Sequence, residues 1–147
     1  MIYTDLTKKA LKVCFDAHKN QLDKSGMPYV FHPFHVAEQM GDEISTIVAL
    51  LHDVVEDSKY TLDDLNEMGF PKIALDAIEI LTHKKEEPYM EYISRVACNE
   101  IASKVKLADL EHNSDLTRLD EITDKDLQRY EKYKVAKEML KDSFDGK

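Results

Sequence analysis

Ile47-Val48-Ala49-Leu50-Leu51-His52-Asp53-Val54-Val55-Glu56-Asp57 is the stretch on which the reading of this chain turns. Five apolar residues in succession give way to His-Asp, then Val-Val, then Glu-Asp. A segment apolar on every side over about Glu43 to Val55 predicts a helix buried all round. Buried charge is costly unless it is paired or bound to a metal. His52 and Asp53 at the end of such a helix therefore point to a metal site, with Glu56 and Asp57 as attendant carboxylates.

Working outward, the pattern stays helical. Leu6, Ala10, Leu11, Cys14 and Phe15 recur at helical spacing behind a Thr4 or Asp5 cap. Lys24-Ser25-Gly26-Met27-Pro28 breaks that pattern and predicts a loop over 21–28, with an extended or short Tyr29-Val30-Phe31 after it. Pro33 suits the first turn of a second helix reaching Met40, and Gly41-Asp42 ends it. Thr61-Leu62-Asp63-Asp64 is a carboxylate variant of a capping box and opens a short helix closed by Gly69. Pro71 starts the next, with Ile73, Ala74, Ala77, Ile78 and Leu81 as its apolar stripe. Pro88 starts another through Tyr89, Tyr92, Ile93 and Val96. Ile101 to His112 and a charged amphipathic segment over about 124–142 complete the set. The residues from Ser143 onward are expected to fray. No alternating strand pattern, internal repeat or linker is present. The expectation is all-α: one domain over 1–147, a bundle of about eight helices.

The 147 residues suffice for a sizeable core. No apolar run approaches the roughly 18 residues that span a bilayer, and no secretory signal is visible at the N-terminus. Cys14 and Cys98 lack ligand-like spacing and read as buried thiols in a reducing cytoplasm. Twenty-nine acidic against 20 basic residues give a net charge of −9. That excludes a general nucleic-acid binder, which needs a basic face, and leaves room for a small phosphorylated ligand beside a cation.

His52 and Asp53, His32 just before Pro33, and Asp109 on an otherwise apolar helix are candidate ligands from three helices, the kind of set helix bundles converge in their cores. Two imidazoles and two carboxylates suit Mn²⁺ or Fe²⁺, with Zn²⁺ also compatible. A closed structural zinc site is usually richer in thiolate. His52 and Glu56, like Asp53 and Asp57, are four apart, so each pair shares a face on a continuous helix. Glu56 and Asp57 can then orient or deprotonate an attacking water. Asn113 is four from Asp109 and reaches the same cavity. Lys106, three before Asp109, supplies positive charge for a phosphate. A lone His-Asp pair is commonplace; the order and spacing of the set are specific. For the remaining histidines, His18 and His35 read as packed or surface residues near the site, His83 as a helix-end residue favoured by the dipole, and His112 as supporting or structural. Tyr89 and Tyr92 read as core, Lys84-Lys85 as a solvated loop, and Gln128, Arg129, Glu131, Lys132, Lys134 and Lys137 as a solvated face.

With these blocks in view, the sequence resembles the HD-domain metal-dependent phosphohydrolases. Within them it is most similar to the RelA/SpoT-type hydrolase domain and the stand-alone small alarmone hydrolases. The matching blocks are Ala17-His18-Lys19-Asn20-Gln21, Lys24 to Pro33, Ala49 to Ser58, Thr61 to Leu65, and Val105 to Asp109 with His112-Asn113, a motif core over about 17–113. The resemblance implies an all-α fold and one divalent cation, typically Mn²⁺. It aligns His32, His52, Asp53 and Asp109 with the metal ligands, Glu56 and Asp57 with the pair that activates water, and Asn113 with a substrate-facing asparagine. It implies removal of pyrophosphate from the 3′ position of (p)ppGpp. Lys24 joins Lys106 and Asn113 as an expected substrate contact. Two positions depart from the family pattern. Asp23 stands where an arginine commonly packs on the guanine base, which a carboxylate cannot do. Ser114-Asp115-Leu116 stand where Met-Arg-Thr often follows the asparagine. The length leaves no room for the family's synthetase domain, so pyrophosphokinase activity is not expected. Three readings follow: a (p)ppGpp hydrolase, a hydrolase for another nucleotide or small phosphorylated metabolite, or a nucleotide-binding sensor without catalysis.

Overall fold

A computed structural model describes residues 1–145, with side chains as far as Ser143. Among the described residues there are nine α-helices and one 3₁₀ turn. They are α1 Asp5–His18, α2 Phe31–Glu38, α3 Glu43–Leu51, α4 Val54–Asp57, α5 Leu62–Glu67, α6 Lys72–Leu81, α7 Tyr89–Val96, α8 Glu100–Asn113 and α9 Asp124–Asp145, with the 3₁₀ turn at Leu116–Arg118 before α9. The only extended pairing is an isolated bridge between Leu22 and Pro28 in the first loop. No helix among these residues is long and apolar enough to cross a membrane.

The architecture is built around α3. Every residue from Ser45 to Leu51 is buried, as an all-apolar helix requires. The Asp42 carboxylate starts it by accepting from the Ser45 amide at 2.8 Å. Helices α1, α2, α6 and α8 pack around it, and α9 closes the far side against α7 and α8. Thr4 caps α1 in a capping box with Thr7, and Thr61 caps α5 with Asp64, the carboxylate variant read from the sequence.

The eight expected helices are present, with the third divided. The helix expected over 43–55 stops at Leu51, turns through His52 and Asp53, and resumes as α4. The Nδ1 of His52 lies 2.6 Å from the carbonyl of Ala49, the acceptor that an unbroken helix offers to the Asp53 amide. Other differences are smaller. α2 begins at Phe31, two residues before Pro33, so of the segment expected to be extended or short, Tyr29-Val30 is a turn and Phe31 is already helical. Ile73 is 54% exposed and lies off the buried stripe of α6. Cys14 is buried but Cys98 is exposed. The expected fraying from Ser143 does not hold at Ser143 itself, whose hydroxyl donates to the Ala97 carbonyl at 3.1 Å; Gly146 and Lys147 lie outside the described residues.

Candidate metal centre and substrate cavity

Three helix segments deliver the four expected ligands to one point. His32 comes from the first turn of α2, His52 and Asp53 from the break between α3 and α4, and Asp109 from α8. One donor atom from each lies within 4.8 Å of all the others. His32, His52 and Asp109 are buried and Asp53 nearly so. The break after Leu51 is what turns both His52 and Asp53 toward the centre.

The donor atoms fit a cation. A carbonyl can only accept, so His52 Nδ1 carries a proton in its bond to Ala49, and in the neutral ring Nε2 keeps a lone pair. That Nε2 is sealed from solvent and makes no hydrogen bond, although it stands 3.1 Å from Asp53 Oδ2 and 3.4 Å from Asp109 Oδ1. A buried lone pair facing carboxylate oxygens is an uncompensated arrangement unless positive charge sits between them. His32 Nε2 likewise faces Asp109 Oδ1 at 2.6 Å. Without a cation, burial opposes charge on His52, but Asp53 and Asp109 outweigh it and lift the imidazole well above its ordinary value, so either a proton or a cation supplies the positive charge at Nε2. Burial would raise Asp109 as well; Lys106 and the imidazoles hold it well below the usual carboxylate range.

A second layer fixes the ligands. The Tyr29 hydroxyl donates to Asp53 Oδ2. Lys106 Nζ donates to Asp109 Oδ2 at 2.8 Å while lying 5.3 Å from the centre of the Tyr92 ring. Asn113 Nδ2 donates to Asp109 Oδ1 at 3.3 Å. His112 Nδ1 lies 2.7 Å from His32 Nδ1. Burial, then Arg118 and the neighbouring imidazoles, hold His112 at about 4, so its ring is neutral at physiological pH. His18 is buried edge-on to Tyr29, with Nδ1 2.7 Å from Gln21 Oε1. Gln21 Nε2 in turn donates to the Asp57 carbonyl at 2.9 Å, tying the end of α1 to α4. His83 stacks on Tyr92 at 4.6 Å, with Nε2 2.7 Å from the Glu87 carbonyl.

Glu56 and Asp57 stand on α4 with solvent on one side. Partial burial, then the charge of Asp53, raises both carboxyls above their ordinary values. Raised carboxyls beside a cation centre are suited to accepting a proton from water.

A cavity of about 490 Å³ adjoins the centre. It shares Tyr29 and Asn113 with the ligand layer, and Lys24, Arg118, Arg129 and Tyr133 also line it. Lys24 and Arg129 converge on Asp126, at 3.5 and 3.4 Å. Arg118 approaches Asp23 at 3.8 Å and donates to the His112 carbonyl at 2.8 Å. Of the three expected substrate contacts, Lys24 and Asn113 line this cavity, whereas Lys106 turns inward onto Asp109. Arg129, expected on a solvated face, is in the wall. Tyr29, Arg118, Asp126 and Tyr133 were not singled out by the sequence; only Tyr29 lay inside a block with a recognisable signal.

The sequence and the fold have counterparts among known proteins. No family model matches the sequence. A GTP pyrophosphokinase of Myxococcus xanthus is 34% identical over 126 residues, 74% of this chain and 17% of the relative. The bifunctional (p)ppGpp synthase/hydrolase SpoT of Escherichia coli is 33% identical over 120 residues, covering 72% and 17%. A guanosine-3′,5′-bis(diphosphate) 3′-pyrophosphohydrolase of Haemophilus influenzae is 33% identical over 112 residues, covering 67% and 16%. The matches thus span about a sixth of these relatives' length. A solved structure, a metazoan orthologue of SpoT that hydrolyses ppGpp, superposes with a TM-score of 0.76 at 25% identity, over 97% of this chain and 87% of that one.

The chain belongs to the RelA/SpoT-type hydrolase domains. Asp23, at the position where the resemblance leads to the expectation of an arginine, has a structural part of its own. Its Oδ1 accepts from the amides of Ser25 and Met27 at 2.9 and 3.0 Å, so it organises the loop, and Oδ2 faces Arg118. The arginine beside this loop is Arg118.

Proposed function

We propose that this domain is a metal-dependent phosphohydrolase that removes pyrophosphate from the 3′ position of (p)ppGpp. The observation that carries the reading is the His32, His52, Asp53 and Asp109 cluster beside a cavity lined by cations. The proposed metal is a single Mn²⁺, with Fe²⁺ or Zn²⁺ compatible with the same donors. When bound, such a cation acidifies water and polarises a phosphoryl oxygen.

The remaining chemistry belongs to the chain. Glu56 and Asp57 orient the attacking water and accept its proton. The water oxygen forms a bond to phosphorus as the bond from phosphorus to the 3′ oxygen breaks, and that oxygen leaves with a proton. Lys24 and Arg129 hold phosphate oxygens, and Asn113 presents its amide where the cavity meets the centre. Lys106 acts on the centre through Asp109, by fixing that carboxylate, rather than by meeting phosphate directly. The proposed unit is one domain, with the motif core over 17–113 and α9 completing the cavity wall. Free thiols at Cys14 and Cys98 suit a reducing compartment, and the cytoplasm is the proposed setting.

A hydrolysis screen with Mn²⁺ over (p)ppGpp, GTP, GDP and other phosphorylated nucleotides tests this. The expected result is pyrophosphate release from (p)ppGpp, abolished in Asp53→Ala. Absence of phosphate or pyrophosphate release from every nucleotide overturns it. Asp23 paired with Arg118 favours a second reading, a hydrolase for a nucleotide with a different base. Faster turnover of such a nucleotide than of (p)ppGpp would select it.

A further inference from the structure

Three imidazoles from two helices form a column that ends on the proposed ligand His32. His35, exposed on α2, stacks on His112 of α8 with ring centres 4.0 Å apart and planes 18° from parallel. The His112 ring lies nearly parallel to that of His32, at 5.0 Å and 4°. Between those two rings the Nδ1 atoms meet at 2.7 Å, a hydrogen-bond distance. One Nδ1 must donate and the other accept. His112 Nε2 makes no bond within the protein and is not sealed from solvent, so His112 is free to carry its own proton there.

His32 has no such freedom once its Nε2 is a ligand. Coordination needs the Nε2 lone pair, so a neutral His32 must carry its proton on Nδ1. The acceptor for that proton is then His112 Nδ1. The same logic holds at His52, where the Ala49 carbonyl takes the Nδ1 proton and exposes Nε2. The two proposed ligand histidines are thus oriented by different kinds of acceptor, a backbone carbonyl in one case and a second imidazole nitrogen in the other. Without a cation, the opposite arrangement also closes: His112 Nδ1 donates, and His32 Nε2–H donates to Asp109 Oδ1 at 2.6 Å.

We infer that His112 is a positioning residue of the cation centre: its Nδ1 accepts the Nδ1 proton of His32, frees His32 Nε2 for the cation, and is held in plane by stacking on His35. This rests on the metal reading above. It adds a specific tautomer and a dedicated acceptor that the reading itself does not require.

The test is Mn²⁺ binding by calorimetry to the full chain and its variants, independent of turnover. His112→Leu removes the acceptor and is expected to weaken Mn²⁺ binding by about 10–100-fold, the usual effect of losing an outer hydrogen-bond partner. His112→Asn puts an amide oxygen at the position of Nδ1 and is expected to restore binding to within a few-fold of the parent; a merely space-filling role would not distinguish the two. Nitrogen NMR of the parent gives a second readout that needs no variant. In the loaded protein, His32 is expected protonated on Nδ1 and His112 on Nε2. A parent that binds no Mn²⁺ refutes the metal reading. A parent that binds Mn²⁺ while His112→Leu binds it equally well, or with His112 protonated on Nδ1 in the loaded protein, overturns this inference and leaves the metal reading standing.

Discussion

Adding Mn²⁺ should raise the thermal midpoint of this protein by several degrees, and neutralising Asp53 should cancel most of that rise. Any cation that binds the folded chain alone stabilises it by mass action. At a free concentration 100 times Kd the gain is about 2.7 kcal/mol. An unfolding entropy of about 2.1 cal/mol/K per residue gives a chain of this length about 0.3 kcal/mol/K, so the midpoint rises by about 9 °C. Asp53 is the ligand to change because its environment tolerates the change. Its side chain is 18% exposed, against 5% for Asp109, and the amide oxygen of Asp53→Asn still accepts from Tyr29. Asp109 by contrast holds Lys106 at 2.8 Å, and its removal would strand a buried ammonium at a cost of about 3–5 kcal/mol. Asp53→Asn is expected to keep its metal-free midpoint within about 3 °C of the parent, since it removes a charge that is crowded by Asp109 as well as one that faces His52 at 3.1 Å. Scanning calorimetry in chelator and in increasing Mn²⁺ reads both quantities. A parent midpoint that does not move up to millimolar Mn²⁺, or an Asp53→Asn midpoint that rises as far as the parent's, would refute the reasoning.

Three further expectations concern other parts of the site and its frame. Glu56→Gln and Asp57→Asn should each lower kcat by about 10²–10⁴-fold while the Mn²⁺-induced rise in midpoint persists, because these carboxyls act on water rather than hold the cation; parental turnover in both variants would contradict it. Asp126→Ala should lower the midpoint by about 3 °C through loss of the capping bond to the Thr123 amide at 2.9 Å, and should raise KM more than it lowers kcat, because Lys24 and Arg129 lose the carboxylate that positions them. Arg95 donates to both oxygens of Glu87, at 2.9 and 2.8 Å, and holds that carboxyl at about 2 against an ordinary 4.5. A depressed carboxyl contributes stability in full above its unfolded value and loses it as pH falls from about 4.5 toward 2. Acid unfolding of Arg95→Met should lack that part of the slope, and superposition on the parent curve would count against it.

Local patterns carried the helices and long-range packing carried the cavity, which is why one was readable and the other was not. Asp42, Thr4 and Thr61 announce helix starts through bonds made within three residues, so sequence alone suffices for them. The convergence of His32, His52, Asp53 and Asp109 was readable because His52-Asp53 stands out against an apolar run. The break between them was hidden, since it comes from a side chain taking a backbone carbonyl rather than from a glycine or proline. Ile73 fits a helical stripe by spacing, yet the partners of α6 cover only Ala74, Ala77, Ile78 and Leu81. Arg129 has the charged neighbours of a solvated helix. It joins the cavity wall only because Asp126, which caps the same helix, also faces Lys24, about a hundred residues earlier in the chain.

The electrostatics of the site explain how a chain of net charge −9 can present itself to a phosphorylated ligand. Each cation of the cavity already has an acidic companion: Lys24 and Arg129 share Asp126, and Arg118 faces Asp23. The centre adds Asp53 and Asp109, with Lys106 as the ammonium held on Asp109, and Glu56 and Asp57 stand just beyond. Without a divalent cation this surface is close to neutral in the cavity and negative at the centre, a poor match for pyrophosphate. A divalent cation held by His32, His52, Asp53 and Asp109 would add two positive charges beside the cavity, close to the raised carboxyls of Glu56 and Asp57. The acidic companions then act as positioners: they hold Lys24, Arg118 and Arg129 in fixed directions and leave the attraction itself to the cation. In the proposed reading, selectivity for a substrate comes from those fixed directions, and Asp23, by organising the loop amides and facing Arg118, sets one of them.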